Sequence, residues 1–477
     1  MIMLPIVQIP EVVSHFAPHF KSVFSDESDY LSFQRYLSGL IVSENKTVEA
    51  INRHFVVQVR HQVTLNRFLT DSSYNWKTLN SARLAFLQKH PQTCFKTERG
   101  NRGVLSIDDT LLTHYGEHFE GIANLRDPHK KSYHWAHNLI SLYYSDDWTD
   151  YPVYQLLWQP PDIEKLVGVM EAENISLNDE KRVLKETEPK LWKEYIMGRY
   201  RDKQFKHPKL AEVYKTKLWL ARDLIEQFIR NYPEVKIPYS FDRWYTKPML
   251  CDYLTERGQS YVGLLEAKVL VWVKGQKIKV SQLAQQLKKQ HLDTEQANLF
   301  HKVKVNWRGQ AKHYYAYCKT HNLPAFGKVR LVISYRKPDL SDEPYLLICN
   351  QHTWRSAGIL NVYRRRWPVE VYHEEGKAEG LDKYQIRPLQ AIYKHIACIN
   401  VVYSLLHAAR YDQVLISKLQ QQLHQDVKAL VHGSVAHWRR VVKAQSLLNF
   451  VAWIMKNNPD KNDWKALLLP IIHTMTY

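Results

Sequence analysis

The chain lacks several patterns that mark common classes of enzyme and small domain. Its 477 residues include only five Cys, far apart and without a C-x-x-C pair, so neither a disulfide framework nor a structural zinc site is indicated. There is no G-x-x-x-x-G-K-[ST] loop, no Gly-rich dinucleotide turn and no G-x-S-x-G nucleophile. We therefore expect no nucleotide cofactor and no serine-hydrolase chemistry.

Signals for membranes and export are also missing from the sequence. No run of 18 apolar residues occurs, and the first ten residues lack a basic segment and contain two prolines. We expect no membrane partner and a cytoplasmic location, where a reducing environment suits unpaired cysteines.

Acidic residues are scarce compared with basic ones. The chain has 66 Lys and Arg against 48 Asp and Glu, a formal net charge of +18. The span 268–338 alone has 15 Lys and Arg against two acidic residues, so its +13 is most of that excess. Lys and Arg that displace counterions from phosphates gain affinity, which favours nucleic acid as the partner.

The residues that are present predict an α/β protein with several regions. Residues 1–100 indicate short helices, which form either a DNA-binding unit or a helical cap on the next domain. The order β-β-β-α-β is then predicted, with a charged helical excursion at 162–208. Its elements are the strands 104–107, 133–144 and 151–158, the helix 209–231 and the strand 235–241.

The second half of the chain begins with a different pattern. Apolar and basic residues alternate in Val269–Lys274 and Lys302–Trp307, which predicts an antiparallel β insertion at 266–344. After a strand at 345–349, the chain is predicted to be helical to its end.

Two aspartates follow predicted strands, and a glutamate lies in an Arg-rich stretch. Asp108 comes after Val104–Ile107 and Asp242 after the strand that ends at Phe241, although Asp at such positions also begins turns and caps helices. On an uninterrupted helix, Tyr363, Arg366, Glu370 and Lys377 would share an arc of about 60°. Pro368 interrupts this helix or occupies its first turn.

The spacing of those four residues, Y-x2-R-x3-E-x6-K, resembles the Y-R-E-K signature of bacterial insertion-sequence DDE transposases. Asp108-Asp109-Thr110 resembles the first-aspartate motif of that family, and Asp242-Arg243-Trp244-Tyr245 resembles the second. The resemblance implies a ribonuclease-H-like core, a mixed sheet flanked by helices, at 101–265 and 345–410. It also implies a β-strand insertion domain at 266–344 and helical terminal regions, with 411–477 as a possible dimerisation region.

The resemblance further implies a bacterial, nucleoid-associated transposase. It would cleave DNA with two Mg²⁺ ions, for which Mn²⁺ can substitute, held by Asp108, Asp242 and Glu370. The ends would pass through a hairpin and be joined to target DNA by a homodimer in a synaptic complex. The expected DNA contacts are Tyr363, Arg366, Lys377, Arg365, Lys302 and Lys304, with Trp354 or Trp307 stacking on a flipped base.

Four alternatives remain open at this point. Asp109 could replace Asp108 as a ligand, and Glu374 could replace Glu370. The chain could also be a catalytically silent, domesticated DNA-binding protein, or a structure-specific nuclease that cuts DNA without joining it.

Overall fold

A computed structural model describes residues 3–98, 102–127, 130–204, 206–293, 298–424 and 426–457, and the fold is given for these residues. The predicted C-terminal region therefore lies partly outside the described residues. The strands are β1 Val104–His114, β2 Ala123–Asp127, β3 Ser132–Ser145, β4 Asp150–Trp158, β5 Tyr239–Phe241, β6 Tyr261–Leu264, β7 Leu270–Val273, β8 Gln276–Lys279, β9 His301–Trp307, β10 Gln310–Leu323, β11 Gly327–Tyr335 and β12 Tyr345–Cys349.

Helices precede the sheet, interrupt it and follow it. Those before and within the first half are α1 Glu11–Phe16, α2 Glu27–Val42, α3 Val48–Arg53, α4 Val63–Thr70, α5 Trp76–Gln88, α6 Ile163–Ala172, α7 Asp179–Arg182, α8 Leu184–Thr187, α9 Pro189–Lys203, α10 Pro208–Val213 and α11 Lys217–Asn231. The later ones are α12 Pro248–Glu256, α13 Val280–Asp293, α14 Ser356–Arg364, α15 Pro368–Ala378, α16 Leu389–Ala408, α17 Gln413–Leu423, α18 Val427–Val431 and α19 Val435–Asn457. Short 3₁₀ helices lie at Ala17–Val23 and Ala409–Tyr411.

The centre of the molecule is one large mixed sheet. Strand β3 pairs antiparallel with β1 on one side and with β2 and β4 on the other, whereas β1, β5 and β6 are parallel neighbours. Parallel neighbours need a long crossover, which the helices between β4 and β5 supply. The strand order β4-β3-β1-β5-β6 with flanking helices is consistent with the predicted ribonuclease-H-like fold.

The basic strands of the predicted insertion continue this same sheet. β12 pairs antiparallel with β6, and β11, β10 and β9 follow in order, while β7 and β8 form a separate two-stranded sheet. The extended part packs on α14, because Val303 and Val305 of β9 share a buried cluster with Ile359 and Leu360. At the turn between β9 and β10, Arg308 forms a 2.5 Å ion pair with Asp150. These strands thus contact the rest of the protein through α14 and through the turn between β9 and β10.

The helical layer is organised around α16. This helix is long and apolar enough to cross a membrane by length and composition, but almost all of it is buried inside the protein. It packs against α2, α4, α5 and α19, so the N-terminal helices share one apolar core with the sheet. The N-terminal region therefore covers the core, and its proposed role in DNA binding stays a prediction.

The strand and helix predictions hold in outline and fail at particular boundaries. The strands predicted at 133–144 and 151–158 are confirmed as β3 and β4. The strand predicted to end at Ile107 instead continues to His114, because it keeps its antiparallel partner β3 after its pairing with β5 stops. The strand predicted at 235–241 is only three residues long, and the helix predicted at 209–231 is divided into α10 and α11.

A buried histidine links the N-terminal helices to the chain that follows α15. The Tyr36 hydroxyl donates to His395 Nδ1 at 2.7 Å, and His395 Nε2 donates to the Gly380 carbonyl at 2.8 Å. Burial lowers the pKa of His395 to about 4, so the ring is neutral in the folded protein at pH 7.

This pKa predicts a pH-dependent contribution to stability. Between pH 6.5 and about 4, the unfolded chain binds a proton at His395 that the folded chain does not, so the unfolding free energy falls as the pH falls. The loss is roughly 1.4 kcal/mol per pH unit in that window. We expect His395→Asn to be less stable at pH 7 and to have a smaller pH slope in urea denaturation. The exposed His118→Asn is the control, and equal slopes for wild type and His395→Asn would contradict the prediction.

Candidate active site

The pairing of β1 with β5 places two aspartates side by side. Ile107 is the last residue of β1 in register with β5, opposite Phe241. Asp108 and Asp242 are the next residues of two strands that lie roughly 4.8 Å apart. Asp242 Oδ1 accepts hydrogen bonds from the backbone N–H groups of Trp244 at 2.9 Å and Tyr245 at 3.1 Å, which fixes the carboxylate at the start of a turn.

Asp108 lies in a confined and strongly charged environment. Its pKa is raised to about 7, chiefly by burial; Arg366 lowers it, whereas the nearby carboxylates of Asp242 and Asp109 add to the rise. Its Oδ1 accepts from the Asp109 backbone N–H at 2.9 Å, and its Oδ2 accepts from Arg366 at 3.1 Å. A buried carboxylate with acidic neighbours is stabilised by a positive charge, which Arg366 supplies here.

The helix that carries the four signature residues is interrupted before Pro368, which occupies the first turn of α15 as the sequence indicated, so the shared arc of an uninterrupted helix does not apply. α14 ends at Arg364 and α15 begins at Pro368, which has no N–H to donate to the preceding turn. The chain still turns through the break, because Arg366 N–H donates to the Tyr363 carbonyl and Glu370 N–H to the Trp367 carbonyl, each three residues back.

This break directs Arg366 between two acids. Its Nη1 donates to Asp108, its Nη2 donates to Glu370 Oε1, and its guanidinium lies 5.7 Å from the centre of the Tyr363 ring. The side chain of Arg366 is only 10% exposed, so its charge is poorly solvated and depends on these partners. Three of the four signature residues therefore meet near Asp108 and Asp242.

The two alternative acids from the sequence, Asp109 and Glu374, lie in different surroundings from Asp108 and Glu370. Asp109 is held by Lys217 Nζ at 3.0 and 3.1 Å, by Asn138 Nδ2 at 2.8 Å and by the Tyr245 hydroxyl at 2.8 Å. Because these partners occupy both carboxylate oxygens, Asp109 is better suited to a structural role than to binding a metal ion. Glu374 is exposed on α15. The geometry thus favours Asp108 and Glu370 over the two alternatives.

Lys377 and Arg365 do not join this cluster of acids. Lys377 is half-buried farther along α15; burial lowers its pKa, while the charges of Asp382 and Asp127 raise it. Arg365 is buried and forms a two-pronged pair with Asp147, with both distances at 3.0 Å. Arg365 therefore acts as an internal brace between the helix break and the turn after β3.

A pocket of about 460 Å³ opens beside Arg366. Its lining is aromatic and basic, with no Asp or Glu among the lining residues described. The residues that matter here are Trp307, Lys312, Tyr363, Arg364 and Trp367. Of these, the sequence singled out Trp307 and Tyr363, and Lys312 belongs to the basic span 268–338 that it assigned to DNA. Arg364 and Trp367 were missed, although both flank Arg366 in an unusually basic run.

The other predicted DNA contacts lie away from this pocket. Lys302 and Lys304 are exposed on β9, where they alternate with the buried Val303 and Val305 and so project from the opposite face of the sheet. Trp354 lines a different cleft. The sequence also missed Lys217, which lies 4.0 Å from the Trp244 ring and holds Asp109, because no local pattern connects residues so far apart in the chain.

The donors at the strand ends fit a hard divalent cation. Asp108 and Asp242 offer carboxylate oxygens from adjacent strands, and the pKa of Asp108 is raised by burial and, to a smaller extent, by neighbouring negative charge, which a cation would offset. Glu370 is at present paired with Arg366. Accordingly, no group of three or more His, Cys, Asp or Glu side chains within ligand range of one point is found among the described residues.

Strand ends with paired aspartates, a third acid on a following helix and a basic pocket define a class of metal-dependent nucleases. The model of the DDE superfamily endonuclease family matches residues 15–316, more than half of the chain, and the protein belongs to this family. The match includes Asp108 and Asp242, whereas Glu370 lies beyond it. No curated protein matches the chain. Membership implies a DNA substrate and catalysis with divalent metal ions.

The contacts predict opposite behaviour for the two adjacent aspartates. Asp109→Asn removes the charge that Lys217 pairs with, and we expect it to lower the unfolding free energy by roughly 1–3 kcal/mol. Asp108→Asn removes a charge that burial disfavours and leaves Arg366 paired with Glu370, so we expect stability to be unchanged or higher while DNA cleavage is lost. Denaturation and nicking assays on both variants test this. A stable, inactive Asp109→Asn with an active Asp108→Asn would reverse the assignment.

Proposed function

We propose that the protein is a transposase that binds the ends of a DNA element, cleaves them and joins them to target DNA. The observation that carries this proposal is the position of Arg366, which connects Asp108 at the strand ends to Glu370 on α15. Family membership supports DNA cleavage. Joining, the hairpin route and the homodimer are inferred from the Y-R-E-K spacing.

Asp108, Asp242 and Glu370 are the proposed ligands of two Mg²⁺ ions, with Mn²⁺ as a substitute. When bound, such ions activate the attacking oxygen and offset charge on the leaving oxygen. Arg366 neutralises Asp108 and Glu370 while no cation does so. A guanidinium released from these acids is well suited to hold a phosphate of the cleaved strand, because its planar donors match two phosphate oxygens.

The pocket beside Arg366 is the proposed site for an unstacked nucleotide. Arg364 lies 5.6 Å from the Trp307 ring, and Tyr363, Trp367 and Lys312 complete a lining that suits a flat base and its phosphate. Trp307 is therefore a better candidate than Trp354 for stacking on a flipped base. Tyr363 would contact the adjoining phosphate through its hydroxyl.

A nuclease that cuts without joining is the second candidate, because the family findings support cleavage alone. Inverted repeats flanking the coding region would favour transposition over this candidate. A catalytically silent DNA-binding protein is disfavoured by the presence of all three acids and by the pairing of two of them, Asp108 and Glu370, with Arg366.

The decisive experiment removes one negative charge from α15. We expect Glu370→Gln to abolish Mg²⁺-dependent nicking of an element-end duplex while leaving the affinity for that duplex largely intact, because the amide keeps the shape of the side chain. Glu374→Gln, which changes an exposed acid about one turn farther along the same helix, is the matched control and should remain active. Retained cutting by Glu370→Gln would overturn the assignment of this acid.

The contributions of the pocket and of the outer face of β9 to DNA binding can be distinguished by the salt dependence of the affinity. If Lys312 contacts a phosphate, Lys312→Gln should lower the slope of log affinity against log salt by about 1. The double variant Lys302→Gln, Lys304→Gln should lower it by about 2 only if DNA also reaches the opposite face of the sheet. Binding titrations at four salt concentrations measure both slopes, and an unchanged slope for Lys312→Gln would remove that residue from the DNA site.

A further inference from the structure

A second basic cleft lies on the other face of α14. It has a volume of about 920 Å³ and is lined by Val104 and Pro238, which lie at or just before the beginnings of β1 and β5. Asp108 and Asp242 are four residues farther along, roughly 13 Å away at the rise of an extended strand. The cleft is therefore separate from the carboxylates and from the pocket that contains Trp307.

The charge of this cleft is positive. Arg102, Arg355 and Arg365 line it together with Trp354, and no acidic residue is among the described residues of the lining. Arg355 is exposed to solvent, so its guanidinium is free to meet a ligand. An anion is the kind of ligand that these side chains would attract.

The beginning of α14 adds backbone donors to the same place. The helix starts after Arg355 without a side-chain cap, and the first N–H of the helix to donate along it is that of Ile359, to the Arg355 carbonyl. The N–H groups of residues 356–358 therefore have no intrahelical partner and point out of the positive end of the helix dipole. Ala357 and Gly358 are small and exposed, and a Cβ at Gly358 would meet no heavy atom within 4 Å.

A buried arginine gives an independent indication of a ligand. Arg365 is only 3% exposed, and its Nε has no hydrogen-bond partner although its other nitrogens are paired. A buried N–H without a partner is costly, and this one belongs to a side chain that lines the cleft. A phosphate oxygen would satisfy it.

We propose that this cleft binds the sugar-phosphate backbone of a second DNA duplex, the one that receives the cleaved end. The inference rests on the proposed function, since joining requires two DNA segments on one protein. Helix N-termini with arginines bind phosphate readily, so the expected contact is with the backbone and independent of sequence.

The test compares two substitutions of Gly358, one charged and one neutral. Gly358→Asp adds a negative charge in open space at the first turn of α14, where an acidic residue favours the helix, so the variant should fold. Gly358→Ala adds a side chain without charge and is the matched control. The full-length protein is saturated with an unlabelled end duplex, and the binding of a fluorescent duplex of unrelated sequence is then measured by anisotropy.

We expect Gly358→Asp to lower the affinity for the second duplex at least about tenfold and to reduce the joining of precut ends to a plasmid by a similar factor. Nicking of the end duplex should stay within about twofold of wild type, and Gly358→Ala should behave as wild type. Equal affinity of both variants for the second duplex would overturn the proposal. A lower affinity of Gly358→Asp for the end duplex alone would also overturn it. If the wild type neither nicks nor joins but Gly358→Asp still loses the second duplex, the cleft stands and the proposed function fails.

Discussion

The parallel pairing of β1 with β5 is the constraint on which the site depends. Only three residue pairs form this contact, and they align Ile107 with Phe241 so that an aspartate follows on each strand. Parallel neighbours cannot be joined by a tight turn, so the chain between β4 and β5 must cross over the sheet. The helices α6 to α11 make that crossover, and α11 also supplies Lys217, which forms an ion pair with Asp109.

Arg366 solves the electrostatic problem that this pairing creates. Two carboxylates on neighbouring strands repel each other, and burial makes the repulsion stronger because little water screens it. A guanidinium with several donors can serve Asp108 and Glu370 at once, which an ammonium would do less well. The break before Pro368 provides the position from which Arg366 reaches both acids, so a residue that disrupts a helix contributes to the assembly of the site.

Sequence reasoning recovered the features that depend on local pattern. Alternation and turn residues located β3 and β4. Motif spacing proposed Asp108, Asp242 and Glu370 as site residues, and the pairing of β1 with β5 brings the first two together. It did not predict the ion pair between the buried Arg365 and Asp147, the three partners of Asp109 or the pairing of β12 with β6. These contacts join residues far apart in the chain, and a single sequence contains no record of which distant side chains meet. The broken helix was suggested by Pro368, but the direction in which Arg366 points depends on packing.

The position of β9 at the end of the sheet has one more consequence. An edge strand presents unpaired N–H and C=O groups, and a second copy of the same strand can add to them. Lys302 and Lys304 place like charges on this edge, so that two copies approaching each other side by side are repelled. The basic residues of β9 thus help to keep the open end of a very wide sheet from becoming a starting point for aggregation.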